Sequence, residues 1–196
     1  MRILGYQRPD GQRGVRNKVS IVFTTDCSRF VAQKLRLLFP EHTQLFGYPG
    51  GCAFQEGPVR KIVALATHSS SAGALVLGLG CEGTDAHKVA EAVAATGRPA
   101  ESLKIQDAGG DLIALEKASR VLVRLIQHAS VAERVEMGPA DLVVGCECGG
   151  SDATSGMAAN PAMGAFSDLM VAQGARVILA ETSELLGAEH IMIDRA

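Results

Sequence analysis

The sequence predicts an α/β fold: a three-layer, mostly parallel sheet of about six strands, Rossmann-like, with helices on both faces. Three observations lead there. Short apolar runs of strand length alternate with longer runs whose apolar residues recur at helical spacing. The strand-length runs, such as "GALVLGLG" at 73–80, are apolar at consecutive positions; they are buried on both faces, as in parallel sheets covered by helices. Apolar residues make up 47% of the 196-residue chain but aromatics only 4%, with no Trp, so the core is aliphatic.

Residues 1–17 are polar and glycine-rich and read as an N-terminal arm; residues 18–196 read as one Rossmann-like domain. "KVSIVFTT" is the first buried strand. "SRFVAQKLRLLF" follows as a helix, with Phe30, Val31, Leu35, Leu37 and Leu38 at its apolar positions. "TQLFGY" is a short strand. "GPVRKIVALATHSS" is a helix with Pro58 in its first turn, where a missing amide hydrogen costs nothing. "GALVLGLG" is the third strand, and "DAHKVAEAVAATG" is a helix stopped by Gly97. "SLKIQD" reads as a strand, "DLIALEKASRVLVRLIQHA" as a long amphipathic helix, and "ADLVVGCE" as the fifth strand. Asn160 is expected to cap a helix with Pro161 at its first position. "ARVILAE" is the sixth strand, and "ELLGAEHIMIDRA" reads as a closing helix.

Several classes are excluded. Net charge is −2 with no block of like charges, which argues against nucleic acid or a polybasic membrane patch. No apolar run reaches the roughly 18 residues that suggest a membrane span. The N-terminus has no signal-like apolar region, so a cytoplasmic protein is expected. Five cysteines, an odd number, argue against a disulfide framework.

In an open parallel sheet, ligands bind outside the carboxyl ends of the strands. The unusual residues fall there: Asp26 and Cys27 after the first strand, Cys52 after the second, Cys81 and Glu82 after the third. Cys146, Glu147, Cys148, Gly149, Gly150, Ser151 and Asp152 follow in the fifth, and Glu181 to Glu184 in the sixth. Convergent thiols and carboxylates are metal-ligand chemistry. Cys148 is expected to face the crevice and Cys146 to pack. No CxxC pair or HExxH is present, so no standard zinc or iron–sulfur spacing supports the set. The loop "GGSDATSG" offers amides and hydroxyls to an anion, and without GxGxxG or a Walker pattern it suits a carboxylate better than a nucleotide. Among the histidines, His190 in "GAEHI" is the stronger candidate, while His42 and His128 read as solvated.

The stretches "GYQRPDGQRGVRN", "DCS", "GLGCEG", "CGGSDATSGMAANPAMG" and "ETSELLGAEHI" together resemble the altronate/galactarate dehydratase family, which includes sulfolactate sulfo-lyase large subunits. The resemblance runs in order along nearly the whole chain. It implies a Rossmann-like lyase that removes water from a sugar-derived hydroxy acid to leave a 2-keto-3-deoxy acid, or removes sulfite from sulfolactate. It also implies a divalent metal, Fe2+ foremost with an iron–sulfur cluster as the other form. A separate small subunit or domain, a C-terminal half of similar length and a homo-oligomer are expected as partners. The family's histidine before the second cysteine is missing from "GYPGGCAF".

On that basis Cys27, Cys52, Cys81 and Cys148 are the metal candidates, and Glu82, Asp152, Glu181, Glu184 and His190 the acid–base pool. Arg8, Arg13, Arg16 and Asn17, with Gly149, Gly150 and Ser151, are the substrate-binding candidates. The arginines could clamp a carboxylate bidentately, or form a solvated arm or dimer contact. A non-catalytic domain that binds an anion or metal, or dimerises, is the alternative.

Overall fold

The computed structural model describes residues 3–195, apart from the Glu184 side chain. The chain forms two compact units, Leu4–Glu136 and a second made mainly of Met137–Ala196, so the boundary falls inside the stretch read from sequence as one domain.

In the first unit the arm is partly ordered into strands. Ile3–Gln7 (β1) pairs antiparallel with Arg13–Gly14 (β2). Then Lys18–Phe23 (β3) leads into helix Asp26–Leu38 (α1), Thr43–Gly47 (β4) into Glu56–Ala66 (α2), and Ser71–Gly78 (β5) into Ala86–Ala94 (α3). Ala100–Lys104 (β6) passes into a single helical turn, Ile105–Ala108 (α4), and the long helix Asp111–Ser130 (α5). Gly109 and Gly110, both at positive φ, separate these two helices. The segment "SLKIQD" is therefore strand only to Lys104; Gln106 N–H bonds the carbonyl of Leu79 and turns the chain away. Val135–Met137 (β7) completes a small sheet of order β2-β1-β7.

The four parallel strands lie in the order β4-β3-β5-β6. Alternation divides their side chains between two cores. Val19, Ile21, Phe23, Leu75 and Leu77 pack with Val31 and Leu35 of α1 and Leu122 and Leu125 of α5. Val22, Ala74 and Val76 pack with Ile62 of α2 and Val89 and Val93 of α3. This is the three-layer α/β arrangement that the continuous apolar strands predict, with the sheet buried on both sides.

In the second unit Val143–Cys146 (β8) and Arg176–Leu179 (β9) pair parallel with each other in a separate two-stranded sheet. Six parallel strands are thus present as four and two, not as one sheet. Local apolar pattern marks a strand but not its neighbour. Between them a π-helical stretch, Ser155–Ala159, runs directly into helix Asn160–Ala172 (α6). Asn160 has helical φ and ψ and is not the cap expected; the start is fixed earlier by Asp152, whose carboxylate accepts the amides of Thr154 and Ser155. Pro161 has no amide hydrogen to continue a regular ladder, and the wider π turn lies just before it. The closing segment is broken too: a 3-10 turn, Thr182–Leu185, is separated by Gly187 at φ 83° from Glu189–Arg195 (α7). No helix among the described residues is long and apolar enough to cross a membrane.

Candidate functional site

In the first unit, the loops after β3, β4 and β5 meet at the carboxyl end of the sheet. Asp26 N–H bonds the Pro49 carbonyl, and Gly83 N–H bonds the carbonyls of Gly51 (3.1 Å) and Cys52 (3.0 Å). The approach demands glycine: a Cβ on Gly51 would lie 2.0 Å from the Thr24 carbonyl oxygen, and one on Gly83 2.4 Å from the Phe54 nitrogen. Cys52 and Cys81 ride on the loops after β4 and β5 and Cys27 on the first turn of α1, each with its residue exposed.

Glu82 holds the junction. One carboxylate oxygen accepts Thr24 Oγ1 (2.9 Å) and the Leu79 amide (3.0 Å), and the other accepts the Gly80 amide (2.6 Å). Gly78 leaves the room this needs, because a Cβ there would sit 2.3 Å from Glu82 Oε1. Partial burial pushes the Glu82 carboxyl up, but the bonds from Gly80, its own amide, Thr24 and Leu79 outweigh it and leave the pKa below the usual range. A carboxylate held ionised by these donors suits an anchor of the Cys81 loop more than a proton donor. Next to it, Thr84 Oγ1 is buried with no hydrogen-bond partner, and Asp85 caps α3 by accepting the His87 amide at 2.9 Å.

The N-terminal arm lies at the opposite edge of this sheet. Arg8 is 5% exposed; its Nε donates to the Ser69 carbonyl, Nη1 to Asn17 Oδ1 and Nη2 to the Arg16 carbonyl. Asn17 in turn donates to the Ala129 carbonyl at the end of α5. Burial, and then the neighbouring Arg98 charge, pull the Arg8 pKa down to about 10, so it remains a cation at neutral pH. Asp10 pairs with the fully buried guanidinium of Arg98 (2.5 Å), which also donates to Thr96 and to the Ser71 carbonyl. Burial raises the Asp10 pKa, but the hydrogen bonds from Arg98 and Gln12 outweigh it and hold the carboxyl below its ordinary range. Ser69 precedes the first residue of β5 and Glu82 follows its last, so eight strand residues separate the two regions, roughly 25 Å. Arg8 and Asn17 therefore tie the arm to the amino edge and are not brought together with Glu82 or with the thiols of this unit. Arg16 lines a different groove at the amino edge, of about 600 Å³, with Lys18, Arg36 and Glu41. Arg13 lies in β2 with its residue exposed.

The second unit brings several expected residues together at the carboxyl ends of β8 and β9. Glu181 Oε2 accepts the Cys148 amide (3.2 Å), and Cys148 Sγ lies 3.6 Å from Ser151 Oγ. Asp152 accepts Thr154 Oγ1 (2.5 Å) and the amides of Thr154 and Ser155, which together hold its carboxyl below the ordinary range. Gly149 and Gly150 are exposed, with open space around each Cα. Cys146 is half-buried and Cys148 exposed. Glu181 is also the one non-glycine among the described residues at positive φ, 64°. Such strain persists where the surroundings over-determine it, and it concentrates at functional sites. His190 is exposed on α7. Glu184 lies in the 3-10 turn and its side chain is outside the described residues.

Among the described residues no three His, Cys, Asp or Glu side chains are grouped so as to hold a metal ion. The thiol-bearing loops adjoin through their backbones without presenting a ligand shell. Sequence reasoning missed Thr24, Thr84 and the Asp10–Arg98 pair. Thr24 was visible as a strand's last residue, whereas a pair 88 residues apart leaves no local signal.

Residues 5–130 match the family described as D-galactarate dehydratase/altronate hydrolase, second domain, and residues 139–196 match D-galactarate/altronate dehydratase, C-terminal. The chain belongs to the D-galactarate/altronate dehydratase family. The two matches divide where the compact units do. Similar proteins include an altronate dehydratase of Bacillus subtilis strain 168, 32% identical over 98% of this chain and 41% of its own length. The (2R)-sulfolactate sulfo-lyase subunit beta of Chromohalobacter salexigens is 32% identical over 98% of this chain and 49% of its own. The galactarate dehydratase (L-threo-forming) of Escherichia coli K12 is 30% identical over 98% and 41%. The chain thus spans less than half the length of these relatives.

Proposed function

We propose that this chain is part of a hydro-lyase that acts on a sugar-derived hydroxy acid such as altronate or galactarate and yields a 2-keto-3-deoxy acid. The observation that carries this is the pair of family matches over 5–130 and 139–196, with relatives named dehydratases along 98% of the chain. In the reaction a base removes the proton α to the carboxylate and an acid protonates the β-hydroxyl as it leaves as water. The enol that remains tautomerises to the keto acid. Stabilising the charge that develops on the carboxylate side is the main demand.

Of this chain's residues, the exposed amides and hydroxyl of Gly149, Gly150 and Ser151 suit the substrate carboxylate. Glu181, strained beside Cys148, and His190 are the acid–base candidates. Glu82 shapes the Cys81 loop. A divalent metal, Fe2+, is proposed for the assembled enzyme; Cys27, Cys52 and Cys81 of the first unit and, separately, Cys148 of the second are the thiols to test, and the metal would supply Lewis-acid stabilisation. The described side chains do not by themselves form its ligand shell. A cytoplasmic, homo-oligomeric enzyme completed by the rest of the family's chain fits this reading.

Because the sulfolactate relative is as similar as the altronate one, elimination of sulfite in place of water is the second reading. The test is anaerobic incubation of the assembled enzyme with altronate, galactarate and sulfolactate, ferrous iron and thiol. Keto acid without sulfite from the sugar acids supports the dehydratase, and sulfite from sulfolactate supports the second reading. Turnover of none of the three overturns both and leaves a non-catalytic domain.

A further inference from the structure

We propose that a cleft at the amino edge of the main sheet binds a small aliphatic monocarboxylate. Its walls all belong to the first unit: Tyr6 of β1, Asn17 just before β3, Val19 within it, His42 before β4, and the last turns of α5 with Ala132 beyond them. The volume is about 220 Å³. An apolar cavity of about 150 Å³ holds benzene, so this one has room for roughly six to nine non-hydrogen atoms. A nucleotide or a sugar phosphate is too large for it.

The walls are held in place by the protein itself. Arg8 donates to Asn17 Oδ1 and so orients the amide, whose Nδ2 donates to the Ala129 carbonyl. The Ala129 carbonyl also takes the Ala132 amide, and Ser130 Oγ donates to the Gln127 carbonyl. These two carbonyls at the end of α5 are therefore already occupied.

What remains for a ligand is donors and positive charge. The guanidinium groups of Arg8 and Arg134 both lie over the Tyr6 ring, 5.8 and 5.5 Å from its centroid. Arg134 Nε donates to the Tyr6 hydroxyl oxygen (3.3 Å), which leaves the phenolic hydrogen to donate onward. The His42 imidazole adds a second donor. Arg8 is a buried cation whose hydrogen bonds go to neutral oxygens of Ser69, Asn17 and Arg16. A carboxylate accepts from these donors and balances that charge.

The opposite wall is aliphatic, formed by Val19, Ile126 and Ala132. It suits a short hydrocarbon tail and would leave a second carboxylate or a polyhydroxylated chain without partners. The ligand class is therefore different from the sugar acids of the lyase reading, and the proposal does not depend on that reading. Bound here, the ligand touches the arm, β3, the turn before β4 and α5 together, and so fastens the arm to the sheet.

The test titrates the chain with 3-methylbutanoate and follows the resonances of Tyr6, Val19, His42 and Ile126 by NMR. Saturable shifts at these residues are expected, with amide exchange in β1 slowed at least tenfold at saturation. 3-Methylbutanamide, which lacks the charge, and succinate, which has a second carboxylate, should each bind at least tenfold more weakly. Tyr6→Phe keeps the ring under both guanidinium groups but removes the donor, and should weaken binding about tenfold. Ala132→Trp, at an exposed position, should fill the cleft and abolish binding. The proposal is overturned if 3-methylbutanoate gives no saturable shift or shifts only residues elsewhere. It is equally overturned if the amide or succinate binds as tightly as the monocarboxylate. These comparisons use the unaltered chain, so they decide the matter even where a variant fails to fold.

Discussion

Glu82 shows how one side chain can tie together three parts of the backbone at a strand end. Its carboxylate joins the end of β3 to the turn after β5. Glu82→Gln keeps the shape but removes the charge, and should destabilise the first unit by about 1.5–3 kcal/mol at neutral pH, measured by denaturant unfolding. Because the folded pKa is depressed, this contribution is present above the unfolded value near 4.3 and is lost as pH falls through the lower folded value. The wild-type advantage should therefore shrink below about pH 4; an advantage unchanged at pH 3 would show that charge is not the source. Glu181 is the reverse case. Its left-handed backbone costs on the order of 1 kcal/mol or more, so Glu181→Gly should leave stability unchanged or raise it. The same substitution should abolish turnover of the assembled enzyme if the strained carboxylate acts there, and full activity would remove Glu181 from the acid–base pool.

At the scale of elements, the loops after β4 and β5 are joined by the backbone hydrogen bonds of Gly83 to Gly51 and Cys52. Gly83→Ala would drive a Cβ into the backbone of 53–54, which cannot retreat without separating the two loops. A loss on the order of 2 kcal/mol or more is expected, along with altered alkylation rates at Cys52 and Cys81. Unchanged stability and thiol reactivity would mean that the loops are independent. The cap at α3 is a smaller effect. Asp85→Ala should cost about 1 kcal/mol, read by thermal unfolding. The Asp85 pKa is lowered chiefly by the His87 amide, so this difference too should fade as pH drops through the folded carboxylate's titration.

For the whole molecule, the Leu4–Glu136 unit has two aliphatic cores, one on each face of a four-stranded sheet, and helices closing both. Expressed alone, this unit should unfold in a single cooperative transition; a broad, non-cooperative melt would show that it depends on the rest of the chain. Much of it was legible in advance. The apolar runs "KVSIVF" and "GALVLG" are consecutive β-favouring residues, and the helices after them carry regular apolar faces, so local pattern sufficed. The grouping of cysteines at strand ends was legible for the same reason.

Strand order, the division into sheets of four and two, and the place of the arm were not. The sequence predicts buried strands, but "VVGC" and "RVIL" read alike whether they join the main sheet or pair only with each other, because burial pattern does not name a partner. Arg8 and Asn17 carry the chemistry of a carboxylate clamp, yet their donors are spent on the carbonyls of Arg16, Ser69 and Ala129. By itself the sequence determined the chemical inventory, the α/β class and the family. Tertiary structure decided which of those groups share an edge of the sheet, because hydrogen bonds between residues 61 and 112 positions apart follow from chain packing and not from local pattern.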